Sequence, residues 1–269
     1  MRRPRHGGGC WTAPGNAIEV AGVYAWPVSE KRTPADLRRA LAESAEDPSQ
    51  LDSVLSDPEL SDLDLRHALR GRLPESVSSH ILDRSRFGVR QTVLGAVARS
   101  PSTAPRTALQ ALPGLSWRDL ADVAIAAELA PAVRQKAEAL LLDGLMSMRL
   151  GDLITLSRLG PRRVTTRLLY WDDARVREAG LHNPRLRAVD VCSVLESAGA
   201  PREIASQILQ VHRWSTSYQV KRAIVCGAAT PHPISLALIS AMNPGDLKDL
   251  AASDDVPLLI SAVARRILG

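Results

Sequence analysis

Leu115–Ala124 reads LSWRDLADVA, and 127 residues further on Met242–Ala251 reads MNPGDLKDLA. The first stretch sets a Trp, an Arg and two Asp within six positions of a chain in which aromatics make up only 3%. Taken alone it has the makings of a reactive cluster. The second stretch changes that reading. Trp117 and Arg118 give way to Pro244 and Gly245, while Asp119, Leu120, Asp122 and Ala124 persist as Asp246, Leu247, Asp249 and Ala251. What persists is the signature of a helix start. Ser116 and Asn243 are N-cap residues, and an Asp follows three positions later, as in a capping box. Pro244 suits the first helical position. A carboxylate there also meets the positive end of the helix dipole, worth roughly 0.3–1 kcal/mol. The same device stands at Thr33–Asp36 and Ser61–Asp64. Asp119 is therefore expected to cap a helix. Trp117 is left as a feature of the first copy alone.

The agreement extends far beyond ten residues. Pro74–Leu142 lies over Pro201–Gly269 at the same offset without a gap. Identities include Ile81/Ile208, Arg86/Arg213, Val93/Val220, Ala96/Ala223 and Thr103/Thr230, with Phe87/Trp214 and Val97/Ile224 as like-for-like changes. Upstream, DPEL at Asp57–Leu60 meets NPRL at Asn183–Leu186 at an offset of 126. Internal duplication is the reading of such a pattern. Prolines 74, 101, 131, 161, 184, 201, 231 and 257 punctuate the chain, and between them apolar residues recur at helical spacing, as in Val133, Ala137, Leu140 and Leu141. No alternating, strand-like segment is present. The predicted fold is all-α: a right-handed α-solenoid of short helical pairs. It divides into an N-terminal arm over 1–33, a first block over 34–142, connecting helices over 143–172 and a second block over 173–269.

Short helical pairs opened by D-P or N-P resemble HEAT-like repeats and the leucine-rich repeat variant. The residues that carry the resemblance are SDPELSDLDLRHAL (Ser56–Leu69), ARSPSTAPRTALQALPGLSWRDLADVA (Ala98–Ala124) and DDARVREAGLHNPRL (Asp172–Leu186). It spans about residues 35–269 and implies an interaction scaffold. Some leucine-rich-variant proteins carry an N-terminal iron–sulfur module. The one cysteine of this N-terminal region, Cys10, does not supply its ligands.

The totals agree with a helical reading. Hydrophobic residues make up 45% of 269, and with so few rings the core must be built from Leu, Ala, Val and Ile, of which Ala and Leu are strong helix formers. The net charge is +5. Arg2, Arg3, Arg5, Lys31 and Arg32 against Glu19 and Glu30 place +3 of it in the first 34 residues, so the remaining chain is nearly neutral. Thirty arginines stand against four lysines, an excess in keeping with GC-rich bacterial coding. Three cysteines without a CxxC fit no disulfide framework and point to a reducing cytoplasm. MRRPRHGGGC lacks the apolar core of a signal peptide, and no run approaches the ~18 apolar residues of a membrane span. The arm, with Gly7–Gly9 and Pro4, Pro14 and Pro27, is expected to be loosely ordered, and its Trp11, Tyr24 and Trp26 are available to dock on the first repeat.

The search for chemistry returns little. No histidine has another three or four residues away, and no phosphate loop or nucleophile elbow is present. His6 and Cys10 are two ligands where a closed zinc site needs four. His212, Arg213, Trp214 and Tyr218 form the densest polar–aromatic cluster, but Arg86 and Phe87 repeat its centre, so an inter-helix turn with its ring in the core is expected. Cys192 reads as buried and Cys226 as more exposed. No catalytic residue, metal or cofactor is assigned.

Departures from the repeat remain as candidates. Leu153–Trp171 reads LITLSRLGPRRVTTRLLYW, with no acidic residue. Arg163 and Arg167 fall on one helix face. Trp117, Arg158, Arg162, Arg163, Arg167 and Trp171 are therefore the expected partner-binding residues of a monomeric, non-enzymatic, cytoplasmic scaffold for another protein. The second expectation is a nucleic-acid binder. HEAT-like alkylpurine DNA glycosylases use a helical stack of this size, and their Trp and Asp line a basic cleft; Trp117, Trp171, Asp119 and Asp122 are the residues this resemblance would use. A body of net +2 speaks against it, because duplex binding rests on phosphate neutralisation.

Overall fold

The computed structural model describes residues 33–227, 229–253 and 256–269, so the expectations for the arm, including His6, Cys10, Trp11, Tyr24 and Trp26, lie outside the described residues. Within them the chain is entirely helical, with no strand. The first half holds α1 (Pro34–Glu43), α2 (Pro48–Leu55), α3 (Asp62–Leu69), α4 (Glu75–Arg84), α5 (Gln91–Arg99), α6 (Pro105–Ala111), α7 (Trp117–Ile125) and α8 (Pro131–Gly144). There follow α9 (Leu150–Leu159), α10 (Arg162–Leu168), α11 (Ala174–Leu181), α12 (Ala188–Glu196), α13 (Ile204–Gln210), α14 (His212–Ser215), α15 (Tyr218–Cys226), α16 (His232–Ile239), α17 (Pro244–Ala252) and α18 (Leu258–Leu268).

The starts of these helices follow from the caps. Thr33–Asp36 and Ser61–Asp64 close full capping boxes on α1 and α3. Ser116 accepts from the Asp119 N–H on α7, and Asn243 from the Asp246 N–H on α17. Prolines 34, 48, 105, 131 and 244 occupy the first helical position, where no N–H is needed. Prolines 74, 161, 231 and 257 sit one place earlier. Asp173 caps α11 by accepting from the Arg175 N–H. The Arg175 guanidinium, bonded to the same carboxylate, holds Asp173 down at about 2.

Packing joins consecutive helices, most extensively α7 on α8 and α17 on α18, and next-but-one helices in a repeated pattern: α1 on α3, α3 on α5, α2 on α4, α4 on α6, α6 on α8 and α9 on α11. The arrangement of α3 on α5, α5 on α6, α6 on α8 and α7 on α8 is matched by α12 on α15, α15 on α16, α16 on α18 and α17 on α18. The core is a chain of three clusters. The first extends from Leu37 to Leu168 and takes in Val176. The second runs from Leu169 to Ile224 and the third from Val225 to Ala264. Aliphatic side chains fill them, with Phe87 and Trp214 as the buried rings.

Two turns show how the halves are held. Arg86 Nη2 donates to the carbonyls of Asp57 (2.7 Å) and Leu60 (3.1 Å). Arg213 reaches those of Asn183 (3.4 Å) and Leu186 (2.7 Å). Each guanidinium thereby clamps both ends of an Asx-Pro turn, whose Asp57 or Asn183 side chain accepts from the N–H two residues on. Each also lies over the adjacent ring, 4.8 Å from Phe87 and 4.3 Å from Trp214. The buried Trp214 Nε1–H donates to the Leu181 carbonyl. The Trp214 ring lies in the core as expected, but His212, Arg213 and Trp214 stand on the one-turn helix α14 where the sequence predicts an inter-helix turn, and Tyr218 opens α15 with its side chain exposed.

The turns differ in depth. Asp57 is half-buried, whereas Asn183 is fully buried and its Nδ2 donates to Ser157 O (2.9 Å), Gly160 O (3.1 Å) and Thr165 Oγ1 (2.8 Å). A carboxylate there would face three acceptors. Asn183→Asp should therefore lower the free energy of unfolding by about 3–5 kcal/mol, although Asp stands in the matching turn; urea denaturation measures it. A carboxyl titration followed by NMR should place Asp173 near 2, and Arg175→Gln should bring it back toward the ordinary 3.8. Because the folded value is depressed, the cap's contribution holds above the unfolded value and is lost as pH falls toward 2.

Candidate functional site

Asp119 does more than cap. Its carboxylate accepts from Ser116 Oγ (2.7 Å) and faces Arg99 on α5 (3.6 Å), whose Nη1 also bonds Asp122 (2.9 Å). Both acidic groups of Leu115–Ala124 are thus engaged by one guanidinium. Trp117 is half-buried against the first core cluster, with Arg118 lying 5.0 Å from its ring. Arg118 reaches Asp152 on α9 at 3.9 Å.

The second half ties α15 to α17 by a different group. Arg222 Nε bonds Asp246 at 2.7 Å, the Tyr218 hydroxyl donates to the same carboxylate, and that hydroxyl accepts from the Asn243 N–H at 3.0 Å. In the 127-residue register Arg222 stands opposite Gly95, and Cys226 opposite Arg99. The arginine of the second half thus stands one helical turn earlier than Arg99 does in the first. Gly95 makes the Arg99 position possible: Arg99 folds back so that Nε donates to the Gly95 carbonyl, and a Cβ at 95 would lie 3.1 Å from Asp119 Oδ1. The paired differences were present in the aligned sequence, but their meaning needs the knowledge that α5 and α15 pack on α7 and α17.

The other candidate residues lie on the connecting hairpin. Arg158 is on α9, and Arg162, Arg163 and Arg167 are on α10, all exposed. Arg162 Nε lies 3.8 Å from Asp190 of α12. Among the described residues, the side chains of Arg158, Arg163 and Arg167 have no ion-pair or hydrogen-bond partner. Trp171 is half-buried, packs on the first cluster, and its carbonyl receives Arg177 Nη1 at 2.7 Å. It belongs to the joint between the halves. Arg118–Asp152 is the polar contact that links Trp117's helix to this hairpin.

No pairing of nucleophile and base occurs among the described residues. His80 Nε2 meets Asp52 at 2.7 Å, a tie between α4 and α2. Cys192 is buried and Cys226 half-buried, as expected, and burial raises both thiols above their usual value. No group of three or more His, Cys, Asp or Glu is disposed to hold a metal ion among the described residues. No described helix is long and apolar enough to cross a membrane. Comparison of the chain with family models, curated proteins and solved structures found no match.

The displaced arginine generates a stability test. Arg99→Cys alone should cost about 0.5–1 kcal/mol, the range of a partly exposed pair. Gly95→Arg should stabilise more in the Arg99→Cys background than in the parent, where two guanidiniums would crowd one carboxylate. Thermal or urea unfolding of the four proteins should show coupling of at least about 0.5 kcal/mol; additive effects would dismiss the compensation.

Proposed function

We propose that the chain is a duplicated, right-handed α-solenoid of HEAT-like character that serves as a non-enzymatic scaffold, engaging an acidic protein surface through Arg158, Arg162, Arg163 and Arg167. The observation that carries this is a contrast in how arginines are used. Arg38, Arg86, Arg177, Arg185, Arg213 and Arg265 spend their guanidiniums on backbone carbonyls. Arg99, Arg175 and Arg222 spend theirs on carboxylates. Arg158, Arg163 and Arg167 are exposed with neither; Arg66 and Arg70 also have neither, but the first three share one hairpin whose stretch 153–171 holds no acidic residue. Guanidiniums without an internal partner suit bidentate contact with carboxylates of another molecule. Repeated next-but-one packing supports the solenoid, since stacked helical units offer extended surfaces to partners. The glycosylase reading is the weaker one, because Asp119 and Asp122 are both tied to Arg99. The free thiols of Cys192 and Cys226 suit a reducing cytoplasm.

Affinity capture with the tagged chain from native lysate should recover a defined acidic protein, and Arg163→Glu with Arg167→Glu should reduce recovery at least tenfold while leaving the helical circular dichroism unchanged. Recovery unaffected by the double change would remove this face from the function. A gel shift of duplex DNA at about 50 mM salt, abolished by the same pair, would move the arginines to phosphate recognition.

A further inference from the structure

A cavity of about 400 Å³ opens between α3 and α5, and Arg66, Arg70, Arg99, Ser100 and Glu128 are in its wall above an apolar contribution from Leu69. Among the described residues the side chains of Arg66 and Arg70 have no hydrogen-bond or ion-pair partner. Ser100 is 3% exposed and its hydroxyl has no partner either. That hydroxyl is itself without accessible surface and does not open on the cavity.

The basic residues at this end of α3 have a structural use, since cations suit a helix C-terminus. The second half shows that the packing does not require them. A smaller cavity of about 260 Å³ lies between α12 and α15, lined by Cys192, Glu196, Arg222 and Cys226 among others. At the 126-residue offset of the upstream turn Cys192 and Glu196 stand opposite Arg66 and Arg70, and at the 127-residue offset Arg222, Cys226 and Gly227 stand opposite Gly95, Arg99 and Ser100. The same helix pair thus packs with a thiol and a carboxylate where the first half holds two arginines, and with no hydroxyl where the first half buries one unpartnered.

We propose that the α3–α5 cavity binds a phosphomonoester. Arg99 is already balanced by Asp119 and Asp122, which leaves two uncompensated guanidiniums. A phosphoryl group brings nearly two negative charges at neutral pH and three acceptor oxygens, enough for two arginine forks. Glu128, exposed in the same wall, disfavours a second anionic group, so the rest of the ligand is uncharged or carries a donor that Glu128 accepts. The volume is that of a small-metabolite pocket. This site is independent of the arginine face on α9 and α10.

Calorimetric titration of the full chain with inorganic phosphate, and separately with glycerol phosphate, tests the assignment. One saturable site per chain is expected for both probes. Arg66→Ala with Arg70→Gln should weaken binding at least about tenfold, Glu128→Gln should strengthen it for inorganic phosphate, and Arg163→Glu should leave it unchanged. No saturable binding by the parent chain, or binding indifferent to the Arg66 and Arg70 changes, overturns the proposal.

Discussion

Short helices leave a large share of their peptide groups unpaired, and the guanidinium-to-carbonyl bond is what makes a fold of such helices affordable. The last four carbonyls of any helix have no partner within it. In helices of seven to ten residues, such as α13 or α4, that is close to half the total. Arg38, Arg185 and Arg265 each answer one of these groups, at Ala68, Leu159 and Ala251, while Arg86 and Arg213 each hold two carbonyls of the turn that follows a helix, and Arg177, only 4% exposed, binds the Trp171 and Asp172 carbonyls while its Nε donates to Gln207. A lysine, with a single point of charge, does not span two carbonyls in this way. The ratio of thirty arginines to four lysines thereby acquires a physical role that composition did not reveal.

The local half of the fold was legible because caps are local. Ser61, Ser116 and Asn243 declare their helices within four residues, and the ring of Trp214 was placed in the core because Phe87 stood in its register. The other half was not legible, because its partners are distant in sequence. Nothing in LSWRDLADVA announces Arg99, and nothing in MNPGDLKDLA announces Tyr218. Those contacts cross from one helix to its next-but-one neighbour. The spacing of Arg163 and Arg167 put them on one helix face, whereas the role of Trp171 depends on Arg177 and on the turn that the two share.

The two halves also show how one frame hosts different surfaces. An arginine at the place of Gly95 rather than that of Arg99 keeps the bond to the helix-capping aspartate and leaves the other position to Cys226. The grooves that result differ in charge and in volume, while the helices around them pack alike. Variation of this kind is inexpensive, since each groove borders only two or three helices.

Leu168 and Leu169 are neighbours in the chain, both without exposed surface, yet the first belongs to one core and the second to the next. One peptide unit at the end of α10 is therefore a seam between two packed bodies. A helix advances about 100° per residue, so a small roll of α10 that tightens the fit of Leu168 must loosen that of Leu169. Arg163 and Arg167 are mounted on this same helix. A partner seated on them therefore bears on the helix whose last leucine and its neighbour serve different cores.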